Sequence, residues 1–145
     1  MQVKIKEIVP GCMPEKLKVG DWIDLKAAED KEIHFWGDMA DDSGTIPLGI
    51  AVELPEGYEA HIVPRSSTFK KWGLIMTNSM GVIDNSYCGD YDEWQFPYLP
   101  TRDVFIPKGT RIAQFRIVKN QPDFELVKVE SLENKNRGGF GSTGD

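Results

Sequence analysis

Short runs of strict alternation between apolar and polar residues dominate the chain. Val3 and Ile5 alternate with Lys4 and Lys6, Ile33 and Phe35 flank His34, and Tyr58, Ala60 and Ile62 alternate with Glu59 and His61. Further on, Ala113, Phe115 and Ile117 share one face of a run whose other face carries Gln114 and Arg116. A period of two places successive side chains on opposite faces of a strand, so each run predicts a strand with one buried face. Clusters of turn-formers punctuate them: "DDSG" at 41–44, "PEG" at 55–57, "DNS" at 84–86 and "PKG" at 107–109. Many short strands separated in this way predict an antiparallel sandwich or barrel. One short helix is expected after "PRSS", from Thr68 to Leu74. The segment "TNSMGVIDNSYCG" (77–89) predicts a β-hairpin, with a strand from Met80 to Ile83 and a turn at Asn85-Ser86. Trp94, Phe96 and Tyr98 also alternate, a pattern that fits either a subunit contact or ordinary core packing.

Composition narrows the function classes. A chain of 145 residues is of ordinary single-domain size. The formal charge of −6, from 17 basic and 23 acidic residues, argues against a broad electrostatic grip on nucleic acid. A small anionic ligand remains compatible, because a few Arg, Lys and backbone N–H groups hold phosphate on an acidic protein. No apolar run is of membrane-spanning length, and the first residues, "MQVKIKEIVPGCMPEK", are unlike a signal peptide, so a cytoplasmic protein without membrane contact is expected. Cys12 and Cys88 form no CxxC pair, and His34 and His61 are the only histidines, which disfavours a zinc site and favours reduced thiols. The division expected is a β domain over residues 1–130 and a flexible arm over 131–145. From "ENKNRGGFGSTGD" (133–145) apolar residues all but vanish, leaving Phe140 as a lone aromatic.

Four stretches carry candidate chemistry. In "VPRSSTFKKWG" (63–73), Arg65 can fork onto phosphate oxygens, and Ser66 and Ser67 offer hydroxyl and backbone donors; a helix cap beside a surface Arg explains the same letters. In "RIAQFRI" (111–117), Gln114 faces away from Phe115 and Ile117, toward a ligand or simply toward solvent. "GGFGSTG" (138–144) can turn successive N–H groups toward an anion, but no Lys follows as a Walker A loop requires. In "GVIDNSYCG" (81–89), Gly81 would let a flat ligand approach the backbone, Asp84 at the strand end could serve as general base, and Tyr87 could stack on a sugar or base. An Asx turn capped by Asp84 is the structural alternative.

Taken in order, "PRSS", "NSMGVIDNSY", "RIAQ" and "GGFGSTG" resemble motifs two to five of the trimeric dUTPase family, and "GDWIDLKAAED" (20–30) is similar to its first. The resemblance spans residues 20 to 144, with the "DYDEWQFPYLP" stretch in the style of bacterial and prophage members. It implies an all-β fold, a distorted jelly-roll or β-clip barrel, in a homotrimer whose C-terminal arms close over neighbouring sites. It further implies hydrolysis of dUTP to dUMP and pyrophosphate with Mg2+ held mainly by the triphosphate, which limits uracil incorporation into DNA and supplies dUMP for dTMP synthesis.

The same resemblance assigns roles. Asp84 would orient and deprotonate the water attacking the α-phosphorus. Asn78 and the backbone of Gly81, Val82 and Ile83 would read uracil, and Tyr87 would pack on the deoxyribose. Arg65, Ser66, Ser67 and Gln114 would bind the phosphates, and Asp24 would orient the metal's water shell. Phe140 would stack over uracil while Gly141, Ser142 and Thr143 wrap the γ-phosphate. Asp21-Trp22-Ile23 departs from the family's Ala-Gly-Tyr, and Lys135-Asn136-Arg137 replaces its Arg-Gly-x, so the fifth-motif cation is Arg137 or Lys135. Two other readings stand beside this one. A dCTP deaminase would share the fold but should carry a Glu base beyond the hairpin. A nucleotide-dependent regulatory protein would show a stoichiometric partner released by dUTP analogues.

Overall fold

The computed structural model describes residues 1–36 and 44–141. Asp41, Asp42 and Ser43 of the first expected turn, and Ser142 and Thr143 of the expected arm, lie outside the described residues. The strands are β1 (Lys4–Glu7), β2 (Ile23–Lys26), β3 (Lys31–Ile33), β4 (Gly44–Pro47), β5 (Ile50–Glu53) and β6 (Tyr58–Pro64). After a helix, α1 (Thr68–Trp72), come β7 (Leu74–Met76), β8 (Gly81–Ile83), β9 (Gln95–Pro100), β10 (Val104–Ile106) and β11 (Arg111–Lys119). They form antiparallel sheets in the orders β2-β11-β6-β8, β4-β9-β7, β1-β5 and β10-β3. Sequence neighbours are mostly not sheet neighbours, as in a jelly roll, and the expected all-β class is what the chain adopts.

The core lies between the inner faces of these sheets. Leu25, Ala60, Ile62, Ala113 and Phe115 enter it from the four-stranded sheet, and Phe96 and Tyr98 from the three-stranded one. Trp94 is fully buried and meets the Phe115 ring edge-on, with centroids 5.2 Å apart and planes at 87°. Edge-to-face pairs of this kind add about 0.5–1.5 kcal/mol beyond their buried area. The alternation of Trp94, Phe96 and Tyr98 is therefore core packing within one chain.

Three local expectations need correction. The strand around His34 stops at Ile33, because Phe35 turns its N–H to Asp103 Oδ1 (2.7 Å) and leaves its ring exposed. The helix ends at Trp72 and not at Leu74: Gly73 takes a left-handed φ of 65°, donates back to the Phe69 carbonyl, and releases Leu74 into β7. Segment 77–89 is not a hairpin, since β7 pairs with β9 while β8, which begins at Gly81, pairs with β6. The tight turn between them, with Ser79 at φ 61°, carries the chain from one sheet to the other.

Beyond Lys119 the described chain forms no further helix or strand, and residues 120–141 are exposed throughout. Phe124, Leu126, Val127, Val129 and Leu132 are among them. No helix among the described residues is long and apolar enough to cross a membrane.

Candidate active site

Sheet register brings the first group of expected residues together. Gln114 on β11 stands opposite Asp24 on β2 and opposite Val63 on β6, one strand on each side. Arg65 follows directly on β6, and its Nε lies 2.9 Å from Asp24 Oδ1. Gln114 Nε2 donates to the Pro64 carbonyl at 3.2 Å, which keeps the amide beside Arg65. A second guanidinium, Arg111 Nη1, lies 3.6 Å from the other oxygen of Asp24. The carboxylate is the least exposed member, at 16% against 31% for Arg65 and 45% for Arg111. Two cations around one anion leave a net positive patch on an acidic protein, suited to phosphate. Ser66 and Ser67 follow on the surface, and Ser67 makes no side-chain cap bond to α1. Thr68, the first residue of α1, is buried, and its Oγ1 accepts the Arg65 N–H (3.0 Å) and donates to the Ile112 carbonyl (2.8 Å).

The second group surrounds a cavity of about 240 Å3 on β8 and β9. Asn78, Gly81, Val82, Ile83 and Tyr87 all line it, with Gln95 across from them. Tyr87 is held by a hydrogen bond from its hydroxyl to the Glu93 carbonyl at 3.1 Å. Gly81 has a reason beyond ligand approach: a Cβ there would stand 3.3 Å from Ile62 Cβ, so the small residue lets β8 seat against the core. Asp84 follows Ile83 and is exposed, outside the cavity wall. Its Oδ1 accepts from both the Ser86 N–H (2.7 Å) and the Ser86 hydroxyl (2.5 Å), and Asn85 donates to the Leu54 and Pro55 carbonyls. The Asx turn is thus real, yet it engages one carboxylate oxygen only. The two bonds from Ser86 hold the Asp84 carboxyl below its ordinary value, so it is ionised at neutral pH.

The two groups stand apart in one chain. In the antiparallel register Ile62 faces Gly81 and Ala60 faces Ile83, so β8 runs away from Arg65 and delivers Asp84 beside Glu59. From Glu59 to Arg65 at about 3.3 Å per residue is on the order of 20 Å. The third group, Arg137, Phe140 and Gly141, is exposed and meets neither. The residues missed in the sequence are Thr68 and Arg111. Arg111 sat in view at the head of "RIAQ", whereas nothing in the letters marks Thr68 as buried.

A jelly-roll chain with a base-sized cavity and a separate arginine–carboxylate patch is a protein built for a phosphorylated, flat ligand. A family model described as dUTPase matches residues 23–144. The chain is 55% identical, over 99% of both lengths, to the SPbeta prophage-derived deoxyuridine 5'-triphosphate nucleotidohydrolase YosS of Bacillus subtilis. It is 38% identical to the deoxyuridine 5'-triphosphate nucleotidohydrolase of Rickettsia akari, over 99% of this chain and 97% of that one. Among solved structures it resembles the Staphylococcus bacteriophage 80alpha dUTPase with dUPNHPP, at a TM-score of 0.74 and 26% identity over 99% of each chain. The chain belongs to the dUTPase family. Neither the deaminase nor the purely regulatory reading draws support from the two nucleotidohydrolases, whose names describe nucleotide hydrolysis.

Proposed function

We propose that the protein hydrolyses dUTP to dUMP and pyrophosphate, in a homotrimer whose sites combine residues of neighbouring chains. The observation that carries the reading is the grouping of Asn78, Gly81, Val82, Ile83 and Tyr87 around one cavity, with Asp84 the next residue of the same strand end. The names of the relatives at 55% and 38% identity point the same way.

The residues fit the chemistry. Uracil enters the cavity against the β8 backbone, with the Asn78 amide supplying polar edges and Tyr87 packing on the sugar. Asp84 keeps one oxygen on Ser86 and presents the other to the attacking water. A carboxylate below its ordinary pKa is a weak base, so orienting the water at the α-phosphorus is the larger part of its role, and the proton moves as attack proceeds. Arg65, Gln114 and the Ser66 and Ser67 donors hold the phosphate chain, aligning it and neutralising its charge. Arg137 or Lys135 joins them from the arm, while Phe140 covers the base and Gly141, Ser142 and Thr143 close on the terminal phosphate.

Mg2+ fits this site as an ion carried by the triphosphate. No cluster of three or more His, Cys, Asp or Glu among the described residues offers a protein cage; Asp24 is the carboxylate paired with both arginines, and Glu15 lines the same hollow beside it. When bound, the ion would supply charge neutralisation on the phosphates, with Asp24 orienting its water shell.

Two features support the trimer. The groups at the two ends of β6 are too far apart to meet in one chain, and the exposed apolar residues from Phe124 to Leu132 call for a covering surface. A cytoplasmic location follows from the substrate. No part of the described surface is assigned to a regulatory partner.

Pyrophosphate release from dUTP, dCTP, dTTP and UTP tests the reading. Hydrolysis confined to dUTP and lost in Asp84→Asn is expected. Ammonia release from dCTP, or binding of dUTP with no turnover by the wild type, would overturn it.

A further inference from the structure

The chain departs from regular strand geometry at one point of the arginine patch. Counting back from buried Phe115 through outward Gln114 and buried Ala113, alternation would turn Ile112 to the surface and Arg111 into the core. The register instead shifts between Arg111 and Ala113. Ile112 is fully buried, and Arg111 emerges on the face that carries Asp24. An extra residue in one strand is a device for re-aiming a side chain. The carbonyl of the extra residue is fixed by Thr68 Oγ1, the same buried hydroxyl that takes the Arg65 N–H. One side chain therefore ties the backbone carrying Arg65 to the backbone carrying Arg111.

Both guanidiniums converge on Asp24, on different oxygens and with different closeness. Arg65 is the tight partner at 2.9 Å and Arg111 the loose one at 3.6 Å. Arg65 is folded onto the protein, with Nε on Asp24 and Nη1 donating to the Arg111 carbonyl at 3.5 Å. A swing of the whole guanidinium to a phosphate chain gives up both contacts and leaves a largely buried carboxylate without its close partner.

We infer that Arg111 is a positioning residue for the reaction: it takes over Asp24 when Arg65 transfers to the phosphate chain, so that the transfer exchanges one partner for another. Asp24 then stays oriented while Arg65 works on substrate. The inference rests on the reading of Arg65 as a phosphate ligand. Without Arg111, Arg65 is the ion-pair partner left to Asp24 among the described residues, Lys26 nearby being paired with Glu15, and substrate must compete with that pair. The loss falls on KM for dUTP more than on kcat, and it needs the Asp24 charge.

The test compares Arg111→Gln, Arg111→Lys, Asp24→Asn and the Asp24→Asn/Arg111→Gln pair by steady-state kinetics on dUTP, with thermal melting to confirm folding. Arg111→Gln should raise KM roughly tenfold with kcat within about twofold, as for one charge-assisted contact. Arg111→Lys should recover part of the loss, and in the Asp24→Asn background Arg111→Gln should add nothing further. An unchanged KM in a folded Arg111→Gln overturns the inference. A KM increase of equal size in both backgrounds also overturns it, since Arg111 would then act independently of Asp24. Arg65→Gln, run in parallel, separates the two levels. If its KM is unchanged, the phosphate reading of Arg65 fails and the inference with it; if it rises while Arg111→Gln matches wild type, the inference alone fails.

Discussion

Asp84 is a turn residue by its contacts and, in the proposed reaction, the carboxylate that orients the attacking water. Its Oδ1 caps Ser86 through backbone and hydroxyl, which fixes the plane of the carboxylate and lowers its proton affinity. A group whose folded pKa is depressed remains ionised as pH falls until that lower value is reached. The acid limb that Asp84 contributes to kcat/KM should therefore lie below the ordinary Asp range. Ser86→Ala removes the larger of the two Ser86 contributions, so the acid limb should move upward in a pH–rate profile. The same sign applies to folding: the stabilisation from Asp84 is present above the unfolded pKa and lost as pH falls through the folded one. Asp84→Asn keeps the turn's acceptor but removes the charge. Turnover should drop by about 100-fold or more while a non-hydrolysable dUTP analogue still binds, as calorimetry would show. At this scale the letters were informative where a motif fixes chemistry. They were silent on Thr68, because an Oγ1 shared between Arg65 and Ile112 depends on two segments meeting in space.

At the scale of elements, β6 acts as the ruler of the site. Its Pro64 end carries Arg65 and its Tyr58 end lies against the Asp84 turn, with β8 and β11 on its two flanks. The alternating runs along β6 and β11 were legible because burial of one face imposes a period of two. The hairpin expected over 77–89 was not, because turn letters mark a reversal without saying which strands pair across it; here the reversal changes sheets. The shift at Ile112 was equally hidden, although two adjacent buried residues, Ile112 and Ala113, are its signature once burial is known. The Thr68 link between α1 and β11 gives a direct prediction. Thr68→Val leaves the Arg65 N–H and the Ile112 carbonyl without their partner and should cost about 1–3 kcal/mol in chemical denaturation. Thr68→Ser should keep most of that stability. Gly81→Ala forces a Cβ against Ile62 and should lower stability by about 1–2 kcal/mol.

For the whole molecule, the question is how residues on the order of 20 Å apart serve one substrate. Asn120 donates its N–H to the Gly57 carbonyl, and from there to residue 141 the chain is exposed, with Phe140 and the glycines near its end as the third part of the proposed site. The resemblance implies a site shared between chains, and the separation that the register of β6 and β8 imposes supports that proposal. Complementation measures this most directly. Asp84→Asn and Arg65→Gln chains, each expected to turn over little at a low dUTP concentration, are unfolded together, refolded at equal ratio and assayed on dUTP at that concentration. If sites join Arg65 of one chain with Asp84 of another, about one third of the sites in mixed trimers, and so about one quarter of all sites after random assembly at equal ratio, hold both native residues, and that quarter of wild-type activity should return. No recovery from mixtures shown to contain mixed oligomers would mean that each chain builds its own site, and would contradict the account.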